Sequence, residues 1–440
     1  MTQLTFEIRT SGTVVSTVNL NDGDTTIITF VPTTSAKDTV TESADLFIEK
    51  SSAATLKTTI QAIESALDFA EKHPTGVEGV WVTYSPDATT AYQSRLLGGS
   101  LLLDTRDGYL FSTNRALAKL AFIRQPYWEQ KAATTLELSN GSVTDGSVAP
   151  ITNCQDGSND LYVEIDSDQV TGVLQTPAIL EFTSTTNDGT GDATYTGNLL
   201  VGVIHGDGDS TLPTPGTLVC EGIGQVDAAC SGGQYDDLSW ADTAENQLVT
   251  WTLASGSFLH KKYRAVARLQ ASVAYTDLWL KLKLLSGSTE IAETRWMLVG
   301  DGEELVVIGS LTIPPYTLGQ ALDLGNLTLG LYEKRASGSG ALNLDYILLM
   351  PQDSWRRYGA ISGLAYNQKL IDNPVDNLLY TDDGTSGYTI TNKIDEGGPL
   401  MLRPDVKNYL YFLQEDTDGL ASIDRSANIT IKIHPRRLSI

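Results

Sequence analysis

Two stretches decide the fold: Tyr263-Arg264-Ala265-Val266-Ala267-Arg268-Leu269 and Leu278-Trp279-Leu280-Lys281-Leu282-Lys283-Leu284. Apolar residues alternate with polar or charged ones in both. Successive side chains of a strand point to opposite faces, so each run buries one face and wets the other. Similar runs surround them at 248–253, 295–299, 305–308, 327–332 and 342–350. Seven or eight strands packed this closely predict a jelly roll over residues 233–352.

Outward from this block the pattern stays β. Residues 353–440 hold sparse strands, ending with Asn428-Ile429-Thr430-Ile431-Lys432-Ile433. Residues 131–230 are rich in Thr, Ser, Gly, Asn and Asp. The turn pairs Asn140-Gly141, Asp145-Gly146, Asp156-Gly157 and Asp188-Gly189 punctuate them. With the runs 161–165 and 178–182 this predicts an antiparallel sandwich. Residues 205–232, rich in Gly, Pro and Asp, read as a long loop or boundary.

One helix stands out in residues 1–130. Leu56, Ile60, Ile63, Leu67 and Ala70 form a single apolar stripe, Ser51 or Ser52 can cap its start, and Pro74 and Gly76 follow its end. Strand signals flank it at 5–9, 26–30, 45–49, 80–84, 95–97, 101–103 and 117–124. Asn21-Asp22-Gly23 reads as a hairpin turn. The expected fold is mainly β, with multi-domain β-sandwiches, a jelly roll and one prominent helix at 52–73. Its expected divisions are a ring-like β domain at 1–130, a discontinuous sandwich of 131–232 with 353–440, and the inserted jelly roll at 233–352.

Composition narrows the function. The chain has 440 residues, 54 acidic against 30 basic side chains, and a net charge of -24. Nucleic acids and anionic membranes select clustered positive charge, so sequence-specific nucleic-acid binding is not expected. No apolar run reaches the ~20 residues of a membrane span. The first ten residues read as a strand rather than a secretory leader. Residues 132–230 carry 14 acidic side chains and no basic one. Their carboxylates must therefore face water, bind cations or meet a basic surface elsewhere.

Chemistry is sparse. The sequence holds no Gly-x-Ser-x-Gly, no His-Glu-x-x-His and no phosphate loop, so no enzyme and no cofactor is expected. His73, His205, His260 and His434 lie far apart. His205-Gly206-Asp207-Gly208-Asp209 and Asp382-Asp383 are oxygen-rich but lack the EF-hand pattern, and read as turns. Cys220 and Cys230 lie close enough in sequence for a disulfide, or stand as buried thiols in a reducing compartment. Jelly rolls commonly bind sugars by stacking an aromatic ring on the sugar face. Trp251 and Trp279 sit in alternating strands and read as core. Tyr235, Trp240 and Tyr275 sit in expected loops and are the candidate glycan contacts.

The helix, the following strand 80–84 and the closing Ala118-Lys119-Leu120-Ala121-Phe122-Ile123-Arg124-Gln125-Pro126-Tyr127-Trp128-Glu129 resemble structural proteins of tailed bacteriophages. Leu161-Tyr162-Val163-Glu164-Ile165, Asn408-Tyr409-Leu410-Tyr411-Phe412-Leu413 and Ile433-His434-Pro435-Arg436-Arg437-Leu438 add to that resemblance. Within the class the organisation is most similar to distal tail proteins. The resemblance implies a hexameric ring built from residues 1–130, neighbouring tail proteins as partners, and a place in the virion tail. It also implies that an inserted module can contact host-surface carbohydrate. Subunit contacts would come from Lys57, Gln61, Glu64 and Asp68 on the helix and from the strand 117–124. Acidic loops of 132–230 lining the bore would let DNA pass without sticking. The alternative is a carbohydrate-binding adhesin or receptor-binding module.

Overall fold

In a computed structural model of the chain, the described residues are 3–440 without 33–37, 104–113, 141–142, 154–160, 186–194, 207–218, 228–229, 231–232, 242, 254–260, 271–276, 301–304, 315, 318–319, 322–326, 337–338, 365–366, 383–387, 391–393, 417–425 and 439. The fold is mainly β, arranged as stacked antiparallel sheets with one helix.

The first sheet contains β1 (Gln3–Thr10), β2 (Thr13–Asn19), β3 (Thr25–Phe30), β4 (Val40–Glu49), β5 (Glu78–Ser85), β6 (Tyr92–Leu103) and β7 (Arg115–Arg124). Their spatial order is β2-β1-β5-β6-β7-β4-β3. Between β4 and β5 lies α1, Ala53–Lys72. Ser52 caps it, its side chain accepting from Thr55 N at 3.2 Å. Leu56, Ile60, Ile63, Ala66, Leu67 and Ala70 face the sheet and are buried with Phe6, Leu46, Leu120 and Phe122. Burying one such large side chain contributes ~1.5–3 kcal/mol.

The hairpin signal falls elsewhere than expected. β1 turns into β2 through Ser11 and Gly12, both with positive φ (51° and 75°), as a two-residue turn of the primed type requires. Asn21-Asp22-Gly23 does not join a hairpin, because β2 and β3 form opposite ends of the strand order. There Asp22 Oδ1 accepts from Asp24 N at 3.0 Å and Thr25 N at 2.6 Å, an Asx turn on a crossing connection. Turn chemistry marks where the chain bends, not which strands pair.

Two further sheets face each other across a second core. One contains Tyr162–Ile165, Asn408–Asp416, Tyr195–His205 and Ser354–Leu364; the other contains Ala149–Thr152, Ser426–Ile433, Thr176–Ser184, Lys369–Asn373 and Leu378–Asp382. Val163, Leu199, Val201, Val203, Leu410 and Phe412 point into this core with Phe182, Ile429 and Ile431. Three acidic residues of the 132–230 stretch meet cations of the same chain here. Glu164 and Asp166 pair with Lys407, and Glu181 pairs with Lys369 and Lys432.

The last pair of sheets is a jelly roll. One orders its long strands as Gln234–Trp240, Gly340–Pro351, Lys262–Leu269 and Leu305–Thr312. The other orders them as Asn246–Thr252, Leu327–Arg335, Leu278–Ser286 and Thr289–Glu293. Its core does not stop at its own strands. Tyr162, Leu200, Ile204, Tyr409, Tyr411 and Leu413 belong to the same apolar cluster as Tyr346, Leu348 and Met350. Tyr346 also donates its hydroxyl to Asn153 O at 3.2 Å. The sheet that holds Tyr195–His205 is thus buried on both faces, and four sheets stack in sequence.

Candidate binding and assembly surfaces

The outermost layer of that stack carries an aromatic face. Leu278, Leu280, Leu282 and Leu284 are fully buried, so the residues between them point the other way. Trp279 pairs in register with Lys334, Lys281 with Tyr332, and Lys283 with Gly330. These residues therefore share the outward face. Lys334 Nζ stands 4.6 Å from the Trp296 ring and 5.8 Å from the Trp279 ring. Lys281 lies 4.6 Å from Trp296, and Lys283 lies 4.7 Å from Tyr332. The Tyr332 ring lies against Gly330, where a Cβ would stand 2.9 Å from Cε2. Its hydroxyl donates to Gln247 Oε1 at 2.8 Å. Carboxylates fix the lysines in turn. Glu245 reaches Lys283 at 2.6 Å and Lys281 at 3.4 Å, Glu293 reaches Lys281 at 2.9 Å, and Glu290 reaches Lys283 at 3.3 Å. The hydrogen bond that Lys283 donates to Glu245 pushes the Lys283 pKa well above its usual range. Trp279, Trp296 and Tyr332 are half-buried.

The three expected glycan contacts fare differently. Trp240 lies not in a loop but at the end of the strand Gln234–Trp240, 7% exposed and part of the core. The two aspartates at 236–237 hide this strand from a hydrophobic reading. Tyr235 is half-buried in the same strand, paired with Gln225. Tyr275 lies outside the described residues. Trp279, read as core from its strand, faces outward. The period-two pattern contains that answer, because Trp279 has the same parity as Lys281 and Lys283.

A second surface belongs to the first sheet. Lys57, Gln61, Glu64 and Asp68 are exposed on the outer side of α1, and Asp68 pairs with Lys72 at 2.6 Å. The opposite side of the sheet exposes apolar groups: Leu102 is 64% exposed, Ile28 56% and Leu117 48%. With Asp45 and Lys119 these line a shallow depression of about 410 Å³. Both edges of the sheet are free among the described residues. Val14 and Val15 are exposed on β2, and Val31 is exposed just past β3. Free edges and exposed apolar patches are features that interaction surfaces share.

The remaining chemistry-bearing residues are structural in their contacts. His205 Nε2 lies 2.7 Å from Met401 O, and His205 N donates to Asp353 at 2.9 Å. Lys261 bridges the His205 carbonyl and Asp353. Burial holds the His205 pKa below its usual value. Cys220 and Cys230 are buried, and Cys154 lies outside the described residues. Asp207, Asp209 and Asp383 also lie outside them. Among the described residues no three His, Cys, Asp or Glu side chains converge as a metal site, and no helix is long and apolar enough to cross a membrane.

No family profile matches the chain, and no curated protein matches it. Among solved structures, a chain of the infectious bursal disease virus Gx strain is similar at 9% identity and a TM-score of 0.16. That likeness covers 69% of this chain and 81% of that one.

Proposed function

We propose that this protein is a structural subunit of a virus particle, a tail or baseplate ring protein that assembles with copies of itself through the helix-bearing sheet. The observation that carries this reading is the uncovered apolar face of that sheet, Ile28, Leu102 and Leu117, flanked by two free edges. A β edge with exposed valines gains backbone hydrogen bonds and apolar burial when a second copy docks beside it. Asp45 and Lys119 pair in register on the same face and give it mixed charge. The sequence resemblance to distal tail proteins supplies the ring geometry and the neighbouring tail proteins as partners. Leu102→Asp and Leu117→Asp place carboxylates on this face without touching the core. Analytical ultracentrifugation should show assembly in the wild type and monomers in the double variant. Equal assembly in both removes this face from the interface.

A second reading rests on the aromatic face of the jelly roll. A sugar ring offers C–H groups on its flat side and hydroxyls at its rim. Trp279, Trp296 and Tyr332 offer ring faces bordered by fixed lysines and carboxylates. These replace Trp240 as the glycan contacts. On a glycan array, a positive signal should vanish in Trp279→Ala and Tyr332→Ala. A signal that survives both changes moves the contact elsewhere.

A further inference from the structure

The chain is strongly acidic, yet cations gather in one crevice between the first sheet and the turn at 373–377. The crevice has a volume of about 220 Å³, and its walls include Arg95, Arg436, Tyr127, Gln125, Gly76 and Asn377. Arg436 lies 4.0 Å over the Tyr127 ring and is paired with Glu129 at 2.7 Å. Arg95 differs. Among the described residues it makes no ion pair of its own, and the carboxylate that acts on it, Asp376, is paired with Arg9. Its Nη1 donates to Gly76 O at 2.9 Å, and its Nη2 donates to His73 O at 3.2 Å and Glu78 O at 2.5 Å. Three of the five guanidinium N–H groups are thus spent on carbonyls, which do not neutralise the charge. The other face of Arg95 stacks on Trp81, 4.8 Å away, with Arg9 equally close to that ring. Arg95 is buried, and burial pulls its pKa down. The walls hold two guanidinium groups, Arg95 and Arg436, and one carboxylate, Glu129; Asp376, paired with Arg9 at 3.8 Å, is the countercharge that acts on Arg95.

We propose that this crevice binds a small oxyanion, a carboxylate or a phosphate group. Arg95 keeps one Nη1–H, and its Nε–H is buried with no hydrogen-bond partner among the described residues, so it has donors left for an oxyanion, and a charge-assisted hydrogen bond is strongest where water is excluded. The volume suits one such anion. The Gln125 and Asn377 side chains line the same walls and supply amide donors for further oxygens.

Inorganic phosphate and sodium acetate are titrated into the full chain in separate arms, with chloride replaced to hold ionic strength constant. Saturable thermal stabilisation, with saturable broadening of the phosphate ³¹P line in the first arm, is the expected result. Phosphate alone identifies a phosphate site, and saturation by both admits a carboxylate. Arg95→Met should abolish the effect. Because Arg95 also ties down the segment after α1, a gentler variant is needed. Asn377→Asp fits: Asn377 has φ of 56°, which aspartate tolerates, and it sets a carboxylate in the wall. It should fold as the wild type and bind at least tenfold more weakly. Stabilisation no larger than the chloride control gives, or undiminished in Asn377→Asp, overturns the proposal.

Discussion

His205 sits at the last position of the strand Tyr195–His205, clamped by Met401 O, Asp353 and Lys261. Burial favours its neutral form, so its folded pKa lies below the ordinary ~6.5. Protonation therefore favours the unfolded chain. The stability this residue contributes is whole above ~6.5 and declines as pH falls below that value. Denaturant midpoints at pH 7.5 and 5.5 should differ in the wild type by a stability on the order of 1 kcal/mol more than in His205→Gln. The same loss of stability between the two pH values in both proteins contradicts this. Tryptophans give a sharper contrast. Trp240→Ala removes a buried ring and should cost ~3–5 kcal/mol. Trp279→Ala removes a half-buried ring from an outer face and should cost far less in the same unfolding experiment. Sequence alone placed these two the wrong way round. Alternation says that neighbours face opposite sides, and the parity of Trp279 with two lysines was the signal. For Trp240 no such signal existed, because aspartates occupy the strand that carries it.

At the scale of elements, the helix was the most legible feature. Its stripe, with Ser51 or Ser52 as cap, predicts 52–73, and α1 runs Ala53–Lys72 between its caps at Ser52 and His73. Period and capping are local, so sequence carries them. Ser52→Ala should destabilise by ~0.5–2 kcal/mol and Leu67→Ala by ~2–5 kcal/mol, read by thermal unfolding. Lys57→Glu, on the exposed side, should stay within ~0.5 kcal/mol. A large loss at Lys57 would mean that α1 packs outward as well. Strand partners were less legible. Asp22 supplies good turn chemistry, yet β2 and β3 lie at opposite edges, since pairing depends on contacts far along the chain.

At the scale of the whole molecule, the stack of sheets decides behaviour. Leu199-Leu200-Val201 and Tyr409-Leu410-Tyr411-Phe412-Leu413 are continuous apolar runs. Such runs signal strands buried on both faces. The jelly roll supplies the cover for one of those faces through Tyr346, Leu348 and Met350. Deleting residues 219–352 should therefore expose Tyr162, Leu200, Ile204, Tyr409, Tyr411 and Leu413 and give an aggregating product that binds a hydrophobic dye. A soluble, non-binding remainder would show that the two cores are independent. The candidate surfaces follow from the same layering. The first sheet has one face under α1 and the other open around Ile28, Leu102 and Leu117 but buried at Arg9, Trp81 and Arg95, while the outermost sheet of the stack presents Trp279 and Tyr332. Which sheet ends the stack depends on contacts far along the chain, whereas the side of the strand that Trp279 takes is already in its parity with Lys281 and Lys283.

The central claim is that the open face and edges of the first sheet are made to be covered by further copies of the chain. Size-exclusion chromatography with light scattering on the full chain, across a concentration series, tests it most directly. A discrete closed assembly of about six subunits, lost in Leu102→Asp/Leu117→Asp, is the predicted result. A monomer at every concentration, with the double variant indistinguishable from it, would contradict the account.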